Sequence, residues 1–236
     1  MDGEKLERAT FLGELTQEEC EFLLAQGTEI SVKKGTPLFL EGDLDTHIYL
    51  IKSGKVRLSK TNVEGKILFF QLKQKDDFVG ELSLFNNLKA SCNAYVISDA
   101  RLIRYERVVL EDICRQNGAF SLAFMRWFSK HSNSLLAQFR DLIFCGKKGA
   151  LFSILIRLSN AHGKKVDDGI LIDKKLTNQE LAHYVGATRE SISRLLKSLI
   201  NEGIISINAK YITVHNIEFL QAQLRCDHCP YEECTI

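Results

Sequence analysis

The sequence is short of several things, and each shortage excludes something. Of 236 residues only two are proline, Pro37 and Pro230, so nothing between them forces a helix to stop. No stretch approaches the ~20 uncharged apolar residues of a membrane span, so a membrane-spanning helix is excluded. The N-terminus, Met1-Asp2-Gly3-Glu4-Lys5, has no basic segment followed by an apolar block, so no signal peptide is expected. A cytoplasmic, reducing location follows, and the seven cysteines are expected as thiols or metal ligands rather than disulfides. The composition, 45% hydrophobic and 26% charged, excludes disorder as the main state. A length of 236 residues predicts two modest domains.

Net charge is also nearly missing, at +1, but the average conceals a segregation. Residues 1–145 hold 19 Lys and Arg against 20 Asp and Glu. Residues 146–225 hold 12 against 7, and residues 226–236 hold none against 3. A near-neutral first part, a basic second part and an acidic tail fit a sensor joined to a DNA-binding unit.

The first part opens with helical patterning at Leu6, Leu12, Leu15, Phe22, Leu23 and Leu24, with Thr16-x-x-Glu19 as a capping box. After Gly27, short apolar runs recur between turns such as Glu41-Gly42-Asp43 and Lys52-Ser53-Gly54-Lys55. Lys55-Val56-Arg57-Leu58-Ser59 alternates as a strand does, and the spacing predicts a β-sandwich or barrel. From about Glu111 to Phe144 the only glycine is Gly118. There Met125, Phe128, Ser132, Leu135, Phe139 and Leu142 make a heptad-like seam, and Phe124, Trp127 and Leu136 make a second strip. The helix is either buried on two sides within one chain or shared with a second copy. About nine turns is long for a packing helix and favours the homodimer. Lys147-Lys148-Gly149 is expected to break it and act as a hinge.

Thr177-Asn178-Gln179-Glu180 is a second capping box, followed by Leu181, Ala182 and Val185 as an inner face. Gly186 suits a left-handed helix end, and Thr188 caps a next helix carrying Ile192, Leu195, Leu196 and Leu199. A small residue at the crossing, a glycine in the turn and an apolar anchor beyond it predict a helix-turn-helix. Ile204-Ile205-Ser206-Ile207, a turn at Asn208-Ala209-Lys210, and Tyr211-Ile212-Thr213-Val214 predict a wing. On the second helix, Arg189, Glu190, Ser193, Arg194 and Lys197 point outward in the turns that enter a major groove. Arg194 can fork to guanine, Glu190 can accept from cytosine or orient an arginine, and Ser193 can reach a base edge. Lys197, Lys174, Lys175 and Lys210 suit phosphates. No nucleophile–base pair, Walker-type loop or recognisable carboxylate pair points to an enzyme.

These features resemble the cyclic-AMP receptor protein/FNR family of bacterial transcription regulators over about residues 12–220. Thr177–Leu199 and Asp77-Phe78-Val79-Gly80-Glu81-Leu82-Ser83-Leu84-Phe85 carry most of the likeness. The second segment is similar to the β-roll cassette that cradles the phosphate in cyclic-nucleotide binders. The resemblance implies an α+β fold: an N-terminal β-roll, a cyclic-nucleotide-binding-like jelly roll, over 1–110; a long dimerisation helix over 111–145; and a C-terminal winged helix-turn-helix over 146–223. It implies double-stranded DNA with palindromic, TGTGA-like half-sites, and RNA polymerase, as partners. One departure stands out. Nucleotide binders place an arginine and a small hydroxyl residue eleven and twelve positions past the cassette glycine, and here those positions are Ser91 and Cys92. Nearby Lys89 is a point charge and not a fork. A buried phosphate without a matched cation is costly, so cyclic-nucleotide binding is disfavoured.

The tail, 224–236, contains Cys226-Asp227-His228-Cys229-Pro230-Tyr231-Glu232-Glu233-Cys234. Three cysteines in nine residues suit a metal, either zinc or an iron–sulfur cluster. A thiol–disulfide or zinc redox sensor is the alternative. The N-terminal cysteine group of the better-known FNR form is missing, since only Cys20 precedes residue 90. The tail instead resembles the Gram-positive, Bacillus-type FNR branch. That resemblance implies one [4Fe-4S] cluster per subunit on Cys226, Cys229 and Cys234, completed by Asp141, and an oxygen-responsive activator of anaerobic genes. Cys145, one turn beyond Asp141, is the rival fourth ligand.

Overall fold

Thr16 opens the first helix, α1 (Gln17–Ala25), as its spacing to Glu19 predicts. Its hydroxyl accepts from the Glu19 N–H, and the Glu19 carboxylate accepts from the Thr16 N–H at 2.9 Å. The computed structural model describes residues 10–44, 47–61, 63–64, 67–83, 89–224 and Cys234. It falls into two units, one ending at Ser129 and one beginning at Lys130.

In the first unit, six strands follow α1 among the described residues: β1 (Thr28–Val32), β2 (Pro37–Phe39), β3 (His47–Thr61), β4 (Ile67–Lys73), β5 (Phe78–Val79) and β6 (Asn93–Glu106). All pair antiparallel in the order β1-β6-β3-β4, with β2 on β6 and β5 on β3. Alternation along β3 feeds two cores, because successive strand side chains point to opposite faces. Ile48 and Leu50 join Phe11, Phe78 and Tyr105 on one face. Tyr49 and Ile51 join Val79, Val96 and Leu102 on the other. This is the β-roll that the family resemblance implies, where the strand pattern alone predicted a sandwich or barrel.

After β6 come α2 (Arg107–Gln116) and α3 (Gly118–His162). The continuous helix expected from Glu111 is thus interrupted. Asn117 has extended backbone angles, and its side chain accepts from the Phe120 N–H at 3.0 Å, so it starts α3 afresh. Phe120, Phe124 and Trp127 close the first core around Phe11, whose ring lies 5.2–5.8 Å from theirs.

The expected seam on α3 is rotated. Leu122, Met125, Leu136, Phe139 and Ile143 are 44–74% exposed and, with Ser129 and Ser132 between them, step 3, 4, 3, 4, 3, 4. Leu136, grouped from sequence with Phe124 and Trp127, parts from them: those two are buried and Leu136 belongs to the outward strip. Leu142 packs instead on the core of the second unit, and Phe128 on that of the first.

The hinge also moves. Within α3 the backbone departs from helix at Gly146, with φ 61° and ψ −164°, and not at Lys147-Lys148-Gly149. Across that break Arg157 donates to the Ser134 hydroxyl at 3.0 Å. A straight helix would hold residues 23 apart about 34 Å from each other, so the chain folds back at Gly146. Gly149 stays helical. A Cβ there would strike the Cys145 Cβ and stand 3.3 Å from Leu224 Cδ2 and 3.4 Å from the Asp141 carbonyl.

The rest of the second unit comprises β7 (Gly163–Val166), β8 (Gly169–Ile172), α4 (Asn178–Val185), α5 (Arg189–Asn201), β9 (Ile205–Asn208), β10 (Tyr211–Val214) and α6 (Ile217–Leu224). The four strands form a sheet in the order β7-β8-β10-β9. Ala209 (φ 48°) and Lys210 (φ 72°) both turn left-handed, the two-residue hairpin geometry that matches strand twist. The wing is therefore present where expected.

Candidate functional site

The helix-turn-helix surface is built by two caps and a turn. Thr177 caps α4: its hydroxyl accepts from the Glu180 N–H at 3.1 Å, and Glu180 reaches back to the Thr177 N–H at 3.0 Å. Gly186 ends α4 in the left-handed region, at φ 68° and ψ 37°, which suits a residue without a Cβ. Thr188 then caps α5 by accepting from the Ser191 N–H at 3.2 Å. Leu181, Ala182, Val185, Ile192, Leu196 and Leu199 are buried, so the apolar faces of α4 and α5 meet. The opposite face of α5 carries Arg189, Glu190, Ser193, Arg194 and Lys197, all exposed. The structure brings all five of these sequence-derived residues onto one surface.

Beside them lies a cleft of about 460 Å³. Asn178 and Gln179 line it from the first turn of α4, Arg189 from the first turn of α5, and Lys210 from the wing. Asn178 and Gln179 are not evident as site residues from sequence. Their signal was their place directly after a Thr cap, where unpaired N–H groups and the positive end of the helix dipole attract anions. Gln179 is held by His183, with Nε2 atoms 2.8 Å apart. Of the lysines assigned to phosphates, Lys175 and Lys210 are exposed, whereas Lys174 is half-buried with its Nζ 3.5 Å from His162 Nε2.

Replacing Arg194 by Ala should cost about 1–3 kcal/mol of DNA affinity and relax one base preference. Competition with operators substituted one pair at a time measures this. Equal loss on every sequence would make Arg194 a phosphate contact.

The expected ligand set is only partly within the described residues, because Cys226 and Cys229 lie outside them. Asp141 is 4% exposed, unlike an ordinary helix carboxylate. Its Oδ1 accepts from Arg140 Nη2 at 2.7 Å and from Nε at 3.0 Å. Cys145, half-buried, follows one turn later, and Gly149, beyond the break at Gly146, lies against it. The end of α6 comes close to Gly149, where a Cβ would stand 3.3 Å from Leu224 Cδ2. Cys226 is two residues beyond, within about 7 Å of chain. Cys234 lies elsewhere: its carbonyl accepts from Asn160 Nδ2 at 2.7 Å, and its side chain meets the core of this unit. Asn160 is eleven residues past Gly149, about 16 Å along the helix. Asp141 and Cys234 are thus not assembled, and no group of three or more His, Cys, Asp or Glu that could hold a metal occurs among the described residues. Donor chemistry and reach nonetheless fit an iron–sulfur cluster. Three thiols and a buried carboxylate are available, and ten residues from Leu224 to Cys234 can span about 33 Å.

In the β-roll the cassette glutamate is engaged internally. Glu81 Oε1 pairs with Lys73 Nζ at 2.8 Å, and the two side chains are 4% and 1% exposed. Ser91 is exposed and Cys92 is buried. Burial, then the nearby Glu81 charge, pushes the Cys92 thiol up, and burial does the same to Cys114. A raised thiol pKa keeps both protonated and unreactive.

Comparison with known proteins agrees with this geometry. Residues 29–117 match the cyclic nucleotide-binding domain, and residues 150–223 match the Crp-like helix-turn-helix domain. The chain is 41% identical over 218 residues to the anaerobic regulatory protein of Bacillus subtilis, covering 92% of each. It is 25% identical to the CRP-like cAMP-activated global transcriptional regulator of Mycobacterium tuberculosis, over 86% of this chain and 91% of that one. Its fold is similar to a CooA mutant from Carboxydothermus hydrogenoformans, with TM-score 0.77 and 22% identity over 93% and 97% of the two chains. No described helix is long and apolar enough to cross a membrane. The chain belongs to the Crp/FNR family and is a DNA-binding transcription regulator.

Proposed function

We propose that the protein is an oxygen-responsive, cytoplasmic activator of anaerobic genes. On this reading it works as a homodimer on two-fold, TGTGA-like sites and recruits RNA polymerase there, provided that one [4Fe-4S] cluster per subunit is intact. The observation that carries the reading is that Leu224, two residues before Cys226, and the Asp141 carbonyl converge on Gly149, each within 3.4 Å of where a Cβ would stand there, in the segment that carries the buried Asp141 side chain. The 41% identity to a protein called an anaerobic regulatory protein supports it.

Cys226, Cys229 and Cys234 would supply three thiolates and Asp141 the fourth donor. Bound, the cluster would supply an oxygen-labile link. For Cys234 to serve, its carbonyl must leave Asn160. Asp141 precedes the Gly146 hinge by five residues, and the DNA-binding elements follow that hinge. A link from the tail to Asp141 therefore restrains the hinge. The outward strip of Leu122, Met125, Leu136, Phe139 and Ile143 is the surface that a second copy would cover. Arg189, Glu190, Ser193, Arg194 and Lys197 read base edges and phosphates, while Asn178, Gln179 and Lys210 hold a phosphate at the cleft. The β-roll serves as scaffold, because Lys73 already engages Glu81.

Protein purified without air should be brown and contain about four iron and four sulfide per chain. A colourless protein carrying zinc, or one whose tail thiols pair in air with no iron lost, would replace this reading with a zinc or thiol–disulfide redox sensor.

A further inference from the structure

We propose that Arg140 is the positioning residue for the fourth cluster ligand: it grips Asp141 through Oδ1 and so presents Oδ2 as the oxygen that can ligate. The inference rests on the reading of Asp141 and the tail cysteines given above.

Adjacent residues on a helix do not face each other. Arg140 must therefore curl back along α3 to place both Nη2 (2.7 Å) and Nε (3.0 Å) on one oxygen of its neighbour. The two side chains differ sharply in exposure, Arg140 at 43% and Asp141 at 4%. A pair this open on one side adds little stability. Its consequence is local: a carboxylate withdrawn from water, which is costly without a partner, is tied at Oδ1 by two N–H groups of one guanidinium, and Oδ2 is left for another partner. Carboxylates that bind metals are themselves hydrogen-bonded in this way, and loss of such partners weakens the site. The guanidinium also brings a fixed positive charge beside the site, which favours the reduced state of any cluster there.

The test uses full-length protein, reconstituted with iron and sulfide without air, as wild type, Arg140→Ala, Arg140→Lys and Asp141→Ala. The readouts are the rate at which a ferrous chelator extracts iron and the reduction midpoint of the cluster. Melting of the cluster-free proteins by circular dichroism controls for folding. Arg140→Ala should speed extraction about 10–100-fold and make the midpoint more negative. Arg140→Lys should restore the midpoint, because it keeps the charge, but not the extraction rate, because it lacks the fork. A purely structural arginine would not separate these two readouts. If Asp141→Ala speeds extraction while Arg140→Ala behaves as wild type, the role of Arg140 is rejected and the ligand reading stands. If neither variant differs from wild type, Asp141 is no ligand and the underlying reading fails as well.

Discussion

Anaerobic protein carrying serine at Cys226, Cys229 or Cys234 should bind a palindromic promoter site about 10²–10⁴-fold more weakly than wild type. The magnitude comes from linkage between two heads. A two-fold site places its half-sites about one helical turn apart, so both recognition helices must be held at that spacing. Once one head is bound, the second binds as an intramolecular event, and a mismatch in spacing forfeits that gain. On the proposed reading the spacing is set by the segment beyond Gly146, which Leu224, at the start of the tail, approaches at Gly149. A serine hydroxyl is a poor substitute for a thiolate toward iron, and three ligands would remain where four are needed. Cys92→Ser and Cys114→Ser should leave affinity unchanged, since burial pushes both thiols up and neither supplies a thiolate. Gel-shift or anisotropy titration on one palindromic duplex measures all five variants. Wild-type affinity in the tail variants would remove the tail from the account.

Lys73→Met should destabilise the first unit by about 3–5 kcal/mol, the largest effect expected of a single substitution there. The pair with Glu81 is almost wholly out of water, at 1% and 4% exposure, so removing the ammonium leaves a buried carboxylate without its cation. Changing both partners, Lys73→Met with Glu81→Leu, should recover much of the loss, because no uncompensated charge remains. Denaturant unfolding followed by tryptophan fluorescence reads this directly. Trp127, the only tryptophan, lies in the first core. A single variant within about 1 kcal/mol of wild type would mean that water or another group replaces Lys73. The pair also bears on function. A cassette glutamate already satisfied from within has less to offer a ligand, in keeping with Ser91 and Cys92 where nucleotide binders place an arginine and a hydroxyl.

What could be read from sequence was local. Thr16, Thr177 and Thr188 cap their helices because a cap needs only a hydroxyl a few residues before its target N–H. Gly186 and the apolar spacing around it located the helix-turn-helix, and the five outward residues of α5 followed from helical period alone. Two elements went unread. The β7–β8 hairpin was signalled by Asp167-Asp168-Gly169 between short apolar runs, and α6 by Ile217, Leu220 and Leu224 at helical spacing. The hinge was placed at Lys147-Lys148-Gly149, just past the glycine that bends. Gly146 and Gly149 look alike in sequence, but one bends the backbone while the other only makes room for Cys145 and Leu224. The seam was rotated because the heptad pattern admits two registers. Fold-back at Gly146, unseen in sequence, puts Leu142 against the core and leaves Leu136 outside. The Lys73–Glu81 pair and the grip of Arg140 on Asp141 depend on side-chain directions that no spacing rule supplies.

The central claim, that an oxygen-labile cluster on the tail controls DNA binding, is tested most directly on one anaerobic sample. Its affinity for a palindromic duplex is measured before and after exposure to air, while visible absorption follows the cluster. The account predicts that bleaching and a fall in affinity of about 10²–10⁴-fold proceed together. Affinity that is unchanged after complete bleaching would contradict it.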